Sequence, residues 1–305
     1  MKKVGKMTSV LLLATLLLSA CSNSGDANNS QAQEADNQST ATATPMIEAT
    51  AAPQSAAPAA TQAPAASLAP QATAQATAQA QEAVAAANEE VPLLYHMNKN
   101  YDIVPNEEGT NKKVVLLTFD DGPKDAAMIN PLMDILDKHK AKAIFFVNGY
   151  RVKEHPELLK LIHERGGILG NHSWDHIVLK DKSYAEVKKQ IEDVQTIVKE
   201  VTGEAPNFFR PPHGAGGDVG KKVAAENNML YMNWSVGSLD WEMKETDSNK
   251  TEKLISNVTD QLHSGSNILM HELQWTVDGL DQLLTTLEGK GYSFVDPRSI
   301  ELKMR

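Results

Sequence analysis

No Phe, Tyr, Trp or His occurs before residue 91, and no Lys or Arg lies between residues 22 and 90. A stretch this poor in aromatic and apolar bulk cannot offset its own ordering entropy, which excludes a packed core there. Cysteine is nearly absent too: Cys21 stands alone, so the chain has no internal disulfide to form. Basic residues are outnumbered, 29 Lys and Arg against 39 Asp and Glu, for a formal net charge of −10. That charge divides as +3 over residues 1–21, −7 over 22–90 and −6 over the remainder. A nucleic-acid partner is not expected, because such affinity comes mostly from basic side chains that neutralise phosphates.

What the first ninety residues do contain reads as an address and a tether. Lys2, Lys3 and Lys6 precede an apolar run from Val10 to Leu18, then small residues, the layout of a secretory signal. The run falls well short of the ~20 apolar residues that span a bilayer. It closes with Leu18-Ser19-Ala20-Cys21, which resembles the bacterial lipobox and so implies cleavage before Cys21 and lipid attachment there. The expectation is an exported protein, anchored to the cell membrane through lipid on Cys21 and facing the cell wall. Residues 22–90 are expected to be a disordered Ala/Gln/Thr/Pro-rich linker. As a flexible coil they would average roughly 45 Å end to end, from about 5–6 Å times the root of their number.

Residues 91–305 are expected to form one domain, with ample length for a core. Val114–Phe119 is a continuous apolar run, as in a strand buried on both faces. Further strands are expected at Ala143–Val147, Ile168–Gly170, Asn207–Phe209, Met229–Trp234, Asn267–Met270 and Tyr292–Val295. Helical spacing falls between them, at Ala126–Lys140, Glu157–Arg165, Val219–Asn227, Lys250–His263 and Val277–Glu288. A further helix opens at Ser183, with Glu186 completing a capping box, and stops at Gly203. About seven strands alternating with helices predict an α/β protein with a parallel sheet. A closed barrel and an open doubly wound sheet both fit. The barrel is favoured, because no glycine-rich phosphate fingerprint follows the first strand and polar clusters follow strand after strand.

Those clusters carry the chemistry. Asp120 and Asp121 follow the first strand, His172-Ser173-Trp174-Asp175-His176 the third, and Arg210-Pro211-Pro212-His213-Gly214 the fourth. The fifth leads into Asp240-Trp241, and the sixth ends at His271. Singly, each has a plain explanation as a turn, a helix cap or a rigid loop. Five at the same end of successive strands define a mouth. Because neighbouring residues of an extended chain point oppositely, Asp120 and Asp121 can play different roles. His139, His155, His163 and His263 fall on or beside expected helices and read as solvated. His96, in Tyr95-His96, has no assigned part.

Together the clusters resemble the polysaccharide deacetylases, the NodB-homology domain of carbohydrate esterase family 4. The resemblance covers about residues 112–296. Thr118-Phe119-Asp120-Asp121-Gly122 matches the first motif and His172-Ser173-x-x-His176 the second. Arg210-Pro211-Pro212-x-Gly214 matches the third, Asp240-Trp241 the fourth and Leu269-x-His271 the fifth. It implies a distorted (β/α) barrel with fewer than eight strands and a divalent metal, Zn2+ in most members with Co2+ as an alternative. Asp121, His172 and His176 would be the metal ligands, Asp120 the base and His271 the acid. Arg210 would orient the base, Asp240 would support the acid, and the His213 backbone N–H would help hold the oxyanion. Trp241 and Leu269 would shape the acetyl pocket. Three positions depart from the pattern: His213 stands where Tyr or Phe is usual, Gly237 where many relatives have a further Asp, and Ile177 where Pro is frequent.

The implied reaction is hydrolysis of N-acetyl groups on a cell-wall glycan, with peptidoglycan N-acetylglucosamine the substrate expected of a protein held beside the wall. A monomer is expected. Two other readings stand beside it. One is a weakly active or inactive barrel that serves as a wall-binding or structural lipoprotein. The other is a glycosidase, which would want two carboxylates flanking the scissile bond.

Overall fold

The computed structural model describes residues 91–305. A short antiparallel hairpin, β1 (Tyr95–Met97) and β2 (Ile103–Pro105), leads into the strand on which everything else is built, β3 (Val114–Gly122). The signal segment, Cys21 and the linker lie outside the described residues.

Helices and parallel strands then alternate: α1 (Ala126–Lys138), β4 (Ala143–Val147), α2 (Gly149–Glu154), α3 (Pro156–Glu164), β5 (Ile168–Asn171), α4 (Tyr184–Thr202) and β6 (Phe208–Phe209). The chain continues through α5 (Gly217–Glu226), β7 (Leu230–Tyr231), β8 (Val236–Gly237), α6 (Lys250–Thr259), β9 (Ser266–His271), α7 (Gln274–Gly289) and β10 (Ser293–Phe294). The capping box forms as read: Ser183 Oγ accepts from Glu186 N–H, and the Glu186 carboxylate accepts from Ser183 N–H. Gly203 ends that helix at φ 90°, a left-handed position that glycine adopts without penalty.

The sheet runs β7-β6-β5-β4-β3-β9-β8, with β10 paired to the first residues of β3. Its first and last strands, β7 and β8, are consecutive in the chain and four residues apart. Five peptide steps reach at most ~18 Å. A flat seven-strand sheet would hold its outer strands about 29 Å apart. The sheet therefore has to curl. The result is a distorted (β/α) barrel, open between β7 and β8 and laced there by loop residues. Asn267 Nδ2 donates to Asn233 O (2.8 Å) and Ser235 N–H to Asn267 O (3.1 Å).

Because side chains alternate along a strand, β3 serves two cores. Val115, Leu117 and Phe119 face the helices, with Phe145, Ile268 and Met270. Val114 and Leu116 face the barrel interior, with Ile144, Phe146, Phe208 and Met232. The hairpin closes the bottom of that interior with Met97 and Ile103. Here the structure extends what the sequence showed. Residues 95–105 form a plug, and Val236–Gly237 adds a strand beyond the expected seven. The Met229–Trp234 strand contracts to two residues, because its end serves as the bridge across the open seam.

Candidate active site

The inward set on β3 changes character on its way to the mouth: Val114 and Leu116 are apolar, then come Thr118 and Asp120. On β9, Asn267, Leu269 and His271 share that inner face. The β3–β9 register makes Asp120 and His271 direct partners, so these two groups meet at the mouth. Asp121 departs from the alternation expected of an extended strand. Against β4 the register skips it, Asp120 pairing with Phe146 and Gly122 with Val147, and its φ is 67°. The bulge turns Asp121 toward the mouth as well. Ser173, His176, His213 and Leu239 also hold positive φ without being glycine. Such backbone strain gathers where a site over-determines its residues.

Asp121 Oδ1 lies 3.0 Å from His176 Nε2 and 3.4 Å from His172 Nε2. His172 Nδ1 is 2.7 Å from Arg210 O. A carbonyl only accepts, so Nδ1 carries the proton and Nε2 offers its lone pair to the mouth. Asp121 Oδ1 is buried with no hydrogen-bond partner. One carboxylate oxygen and two imidazoles therefore converge, their ligand atoms all within 4.8 Å of one another. A cation satisfies this donor set, and two His with one carboxylate leave a divalent ion an open position. Burial raises the Asp121 carboxyl pKa, but the adjacent His172 and His176 imidazoles outweigh it and hold the group far below the usual carboxylate range.

Asp120, only 3% exposed, accepts from Arg210 Nη1 at 2.7 Å. Arg210 is wholly buried. It also donates to Thr118 Oγ1 (2.7 Å), Asn233 O (2.9 Å) and Asn267 Oδ1 (3.2 Å), and lies over the Phe146 ring. Burial lowers the guanidinium's pKa and the Asp120 charge opposes the fall. With Oδ1 committed to Arg210, Asp120 Oδ2 stands 3.6 Å from His172 Nε2.

On the other side, His271 Nδ1 bonds Asp240 Oδ1 at 2.8 Å. The second oxygen of Asp240 accepts from His271 N–H and from Thr276 Oγ1, each at 2.7 Å, and its carbonyl accepts from Trp275 Nε1 at 2.9 Å. His271 Nε2 is left facing the mouth, 4.0 Å from Asp121 Oδ2. Burial lowers the imidazole's pKa, yet the Asp240 bond and charge, reinforced by Asp120 and Asp121, raise it overall. Thr276 and Trp275 have no counterpart in the sequence reading. Both sit on the first turn of α7, just past the last motif, and only the fold shows that this turn packs on Asp240.

The pocket groups take their places around this centre. The Trp241 ring meets His271 edge-on (5.4 Å between centroids) and is 40% exposed. Leu269 is buried in the wall, paired in register with Thr118. The His213 ring stands 4.8 Å from that of His176. At Gly237 a Cβ would come within 3.1 Å of the Trp241 ring, so the small residue leaves that indole its space. His139 is a correction. It is not solvated: both ring nitrogens bond carboxylates of α7, Asp281 at 2.8 Å and Glu288 at 3.0 Å, on a side chain only 6% exposed. The sequence placed it on a helix but not the acidic face it meets.

A polysaccharide deacetylase family model matches residues 107–232. The Bacillus subtilis peptidoglycan-N-acetylmuramic acid deacetylase PdaC is 37% identical over 201 residues, 65% of this chain and 41% of that protein. The solved structure of the peptidoglycan N-acetylglucosamine deacetylase Bc1960 is 34% identical with a TM-score of 0.57, covering 62% of this chain and 88% of that one. A carbohydrate esterase family 4 pseudoenzyme from Bacillus anthracis is similar as well, at 31% identity and a TM-score of 0.57, covering 60% of this chain and 63% of that one. The chain spans about two-fifths of the length of the first curated relatives it matches, 41% and 38%.

Proposed function

The chain belongs to the polysaccharide deacetylase family, and from that we propose that it hydrolyses N-acetyl groups of cell-wall peptidoglycan, with N-acetylglucosamine units as substrate. The observation that carries this reading is the pairing of Asp120 and His271 across neighbouring strands, beside three convergent metal donors.

Asp121, His172 and His176 would hold a divalent metal, zinc by its taste for imidazole and carboxylate. Bound there, the ion supplies Lewis-acid polarisation of the acetyl carbonyl and of the attacking water. Asp120, held at Oδ1 by Arg210, takes the water's proton at Oδ2 as the C–O bond forms. The His213 N–H donates to the oxyanion. His271 Nε2 then protonates the sugar nitrogen as the C–N bond breaks, giving acetate and a free amine. Trp241 and Leu269 enclose the acetyl methyl.

The inactive-barrel reading draws on the pseudoenzyme among the similar structures. Against it stand the contacts of the residues proposed for these roles: Asp120 with Arg210, His271 with Asp240, and Asp121 with His172 and His176. A glycosidase would need a protonated carboxyl as its acid. Asp121 is held ionised, and Asp120 is paired with Arg210.

Acetate release from N-acetylated glycan oligomers decides among the three. The purified protein should release acetate without shortening the chain, lose the activity on chelation and recover it with zinc. Asp120→Asn should lower the rate by about 10²-fold or more, the contribution typical of a general base, and still bind the metal. Glycan binding with no acetate released would select the inactive barrel.

A further inference from the structure

The geometry points to a subsite for a carboxylate carried by the glycan, formed by Lys124 and Arg151 at the rim of the mouth. The inference rests on the deacetylase reading and names a feature of the substrate.

Lys124 follows β3, and Arg151 lies in the first turn of α2, just past β4. These strands are neighbours, and Asn148 N–H donates to Gly122 O at 2.9 Å, pinning their ends together. Both cations therefore sit at the end of the barrel that carries Asp121. Each is partly buried, yet among the described residues neither has an ion-pair partner. Arg151 Nε is fully buried without a hydrogen bond, and the guanidinium lies 5.1 Å from the centre of the Tyr150 ring. Burial lowers the Lys124 ammonium's pKa, with Arg151 adding to the fall and the Asp121, Glu272 and Asp240 charges opposing it.

The carboxylate that charge balance would assign to this pair is turned elsewhere. Glu272, 1% exposed, directs Oε2 to the Lys124 backbone N–H at 2.9 Å. Its Oε1 is buried without a partner and packs against Gly122, where a Cβ would come within 2.0 Å of it. Glu272 thus fixes the loop and leaves both side-chain cations without a direct partner. Partly buried unpaired cations are costly, and a carboxylate arriving with the substrate relieves that cost. A guanidinium suits the task because its fork donates to both carboxylate oxygens. Wall glycan offers such a group in two places: on an ether-linked side chain of the sugar ring, or on an attached peptide.

The test measures binding on the Asp120→Asn background, where turnover does not intrude. Three ligands separate the sources: neutral N-acetylated chito-oligosaccharide, a muramic-type glycan with a free ether carboxylate, and a glycan whose only carboxylates lie on the peptide. Lys124→Met and Arg151→Met should each weaken binding of a carboxylate-bearing glycan about ten-fold, and that of the neutral oligosaccharide less than about two-fold, the range of one charge-assisted hydrogen bond. Arg151→Lys should retain most of the preference. Loss confined to one acidic ligand identifies which carboxylate is bound. Equal weakening of neutral and acidic glycans, or none of either, overturns the subsite. Absence of acetate release by the parent from every glycan would defeat the deacetylase reading and leave this binding comparison intact.

Discussion

His271 shows how much of a catalytic group's behaviour is set by what it touches. Alone, an imidazole loses half its protons near pH 6.5. Here burial favours the neutral ring, and Asp240, bonded to Nδ1 and backed by the Asp120 and Asp121 charges, reverses that preference. A general acid must enter the cycle protonated, so the raised pKa extends activity to higher pH. Asp240→Asn should therefore move the alkaline limb of kcat/KM to lower pH, which a rate profile on N-acetylated glycan would show; an unmoved limb assigns it to another group. The sign for stability is the same. A raised folded pKa contributes stability that is complete below the unfolded value near 6.5 and lost as pH rises through the folded value, so parent and Asp240→Asn should differ most in acid and converge above it. At this scale the sequence was informative. The spacing of Asp120, His172, His176, Arg210, Asp240 and His271 marked the centre, because all but Asp240 follow strands that the sequence shows as apolar runs. Thr276, Trp275 and Glu272 were hidden, since their roles depend on which turn packs on which carboxylate.

At the scale of elements, β3 shows both the power and the limit of periodicity. Six apolar residues, Val114–Phe119, read as a strand; the structure carries it on to Gly122, and its alternation turns Asp120 inward. The alternation fails at Asp121, where a bulge inserts one extra residue, and nothing in Asp-Asp-Gly distinguishes a bulge from continued strand. The β1–β2 plug was silent for a related reason: two three-residue strands are too short to show a period. The hairpin is nonetheless tightly fitted. Ile103 N–H donates to Gly265 O at 2.8 Å, and Gly265, at φ 83°, would place a Cβ 2.2 Å from Ile103 O. Gly265→Ala combines that backbone overlap with a disfavoured conformation. It should cost about 1–3 kcal/mol by the scale of overpacking, read as a lower denaturant midpoint at unchanged slope. A midpoint equal to the parent's would show that the hairpin is not held there.

For the whole molecule, barrel closure follows from chain length as much as from strand pairing, since the four residues between β7 and β8 leave the sheet no room to flatten. On the proposed function a polymer would lie across the mouth where Asp121, His172 and His176 meet, with one acetamido group reaching in. What brings that mouth to a polymer is proposed from sequence alone: an apolar leader, Cys21 in a lipobox-like context and an aromatic-free stretch from 22 to 90. A single acyl chain gives only marginal membrane binding, whereas the diacylated and amide-acylated cysteine implied by the lipobox gives a stable anchor. Cys21→Ser should therefore move the protein from the membrane fraction to the soluble fraction of fractionated cells. Its rate on soluble oligosaccharides should equal the parent's, because the groups proposed for the reaction all lie at the barrel mouth. Its action on intact wall should fall, because the proposed anchor would concentrate the domain there. Equal membrane retention of Cys21→Ser and parent would defeat the anchor, and a lower rate on soluble substrate would mean that the first ninety residues contribute to the site itself.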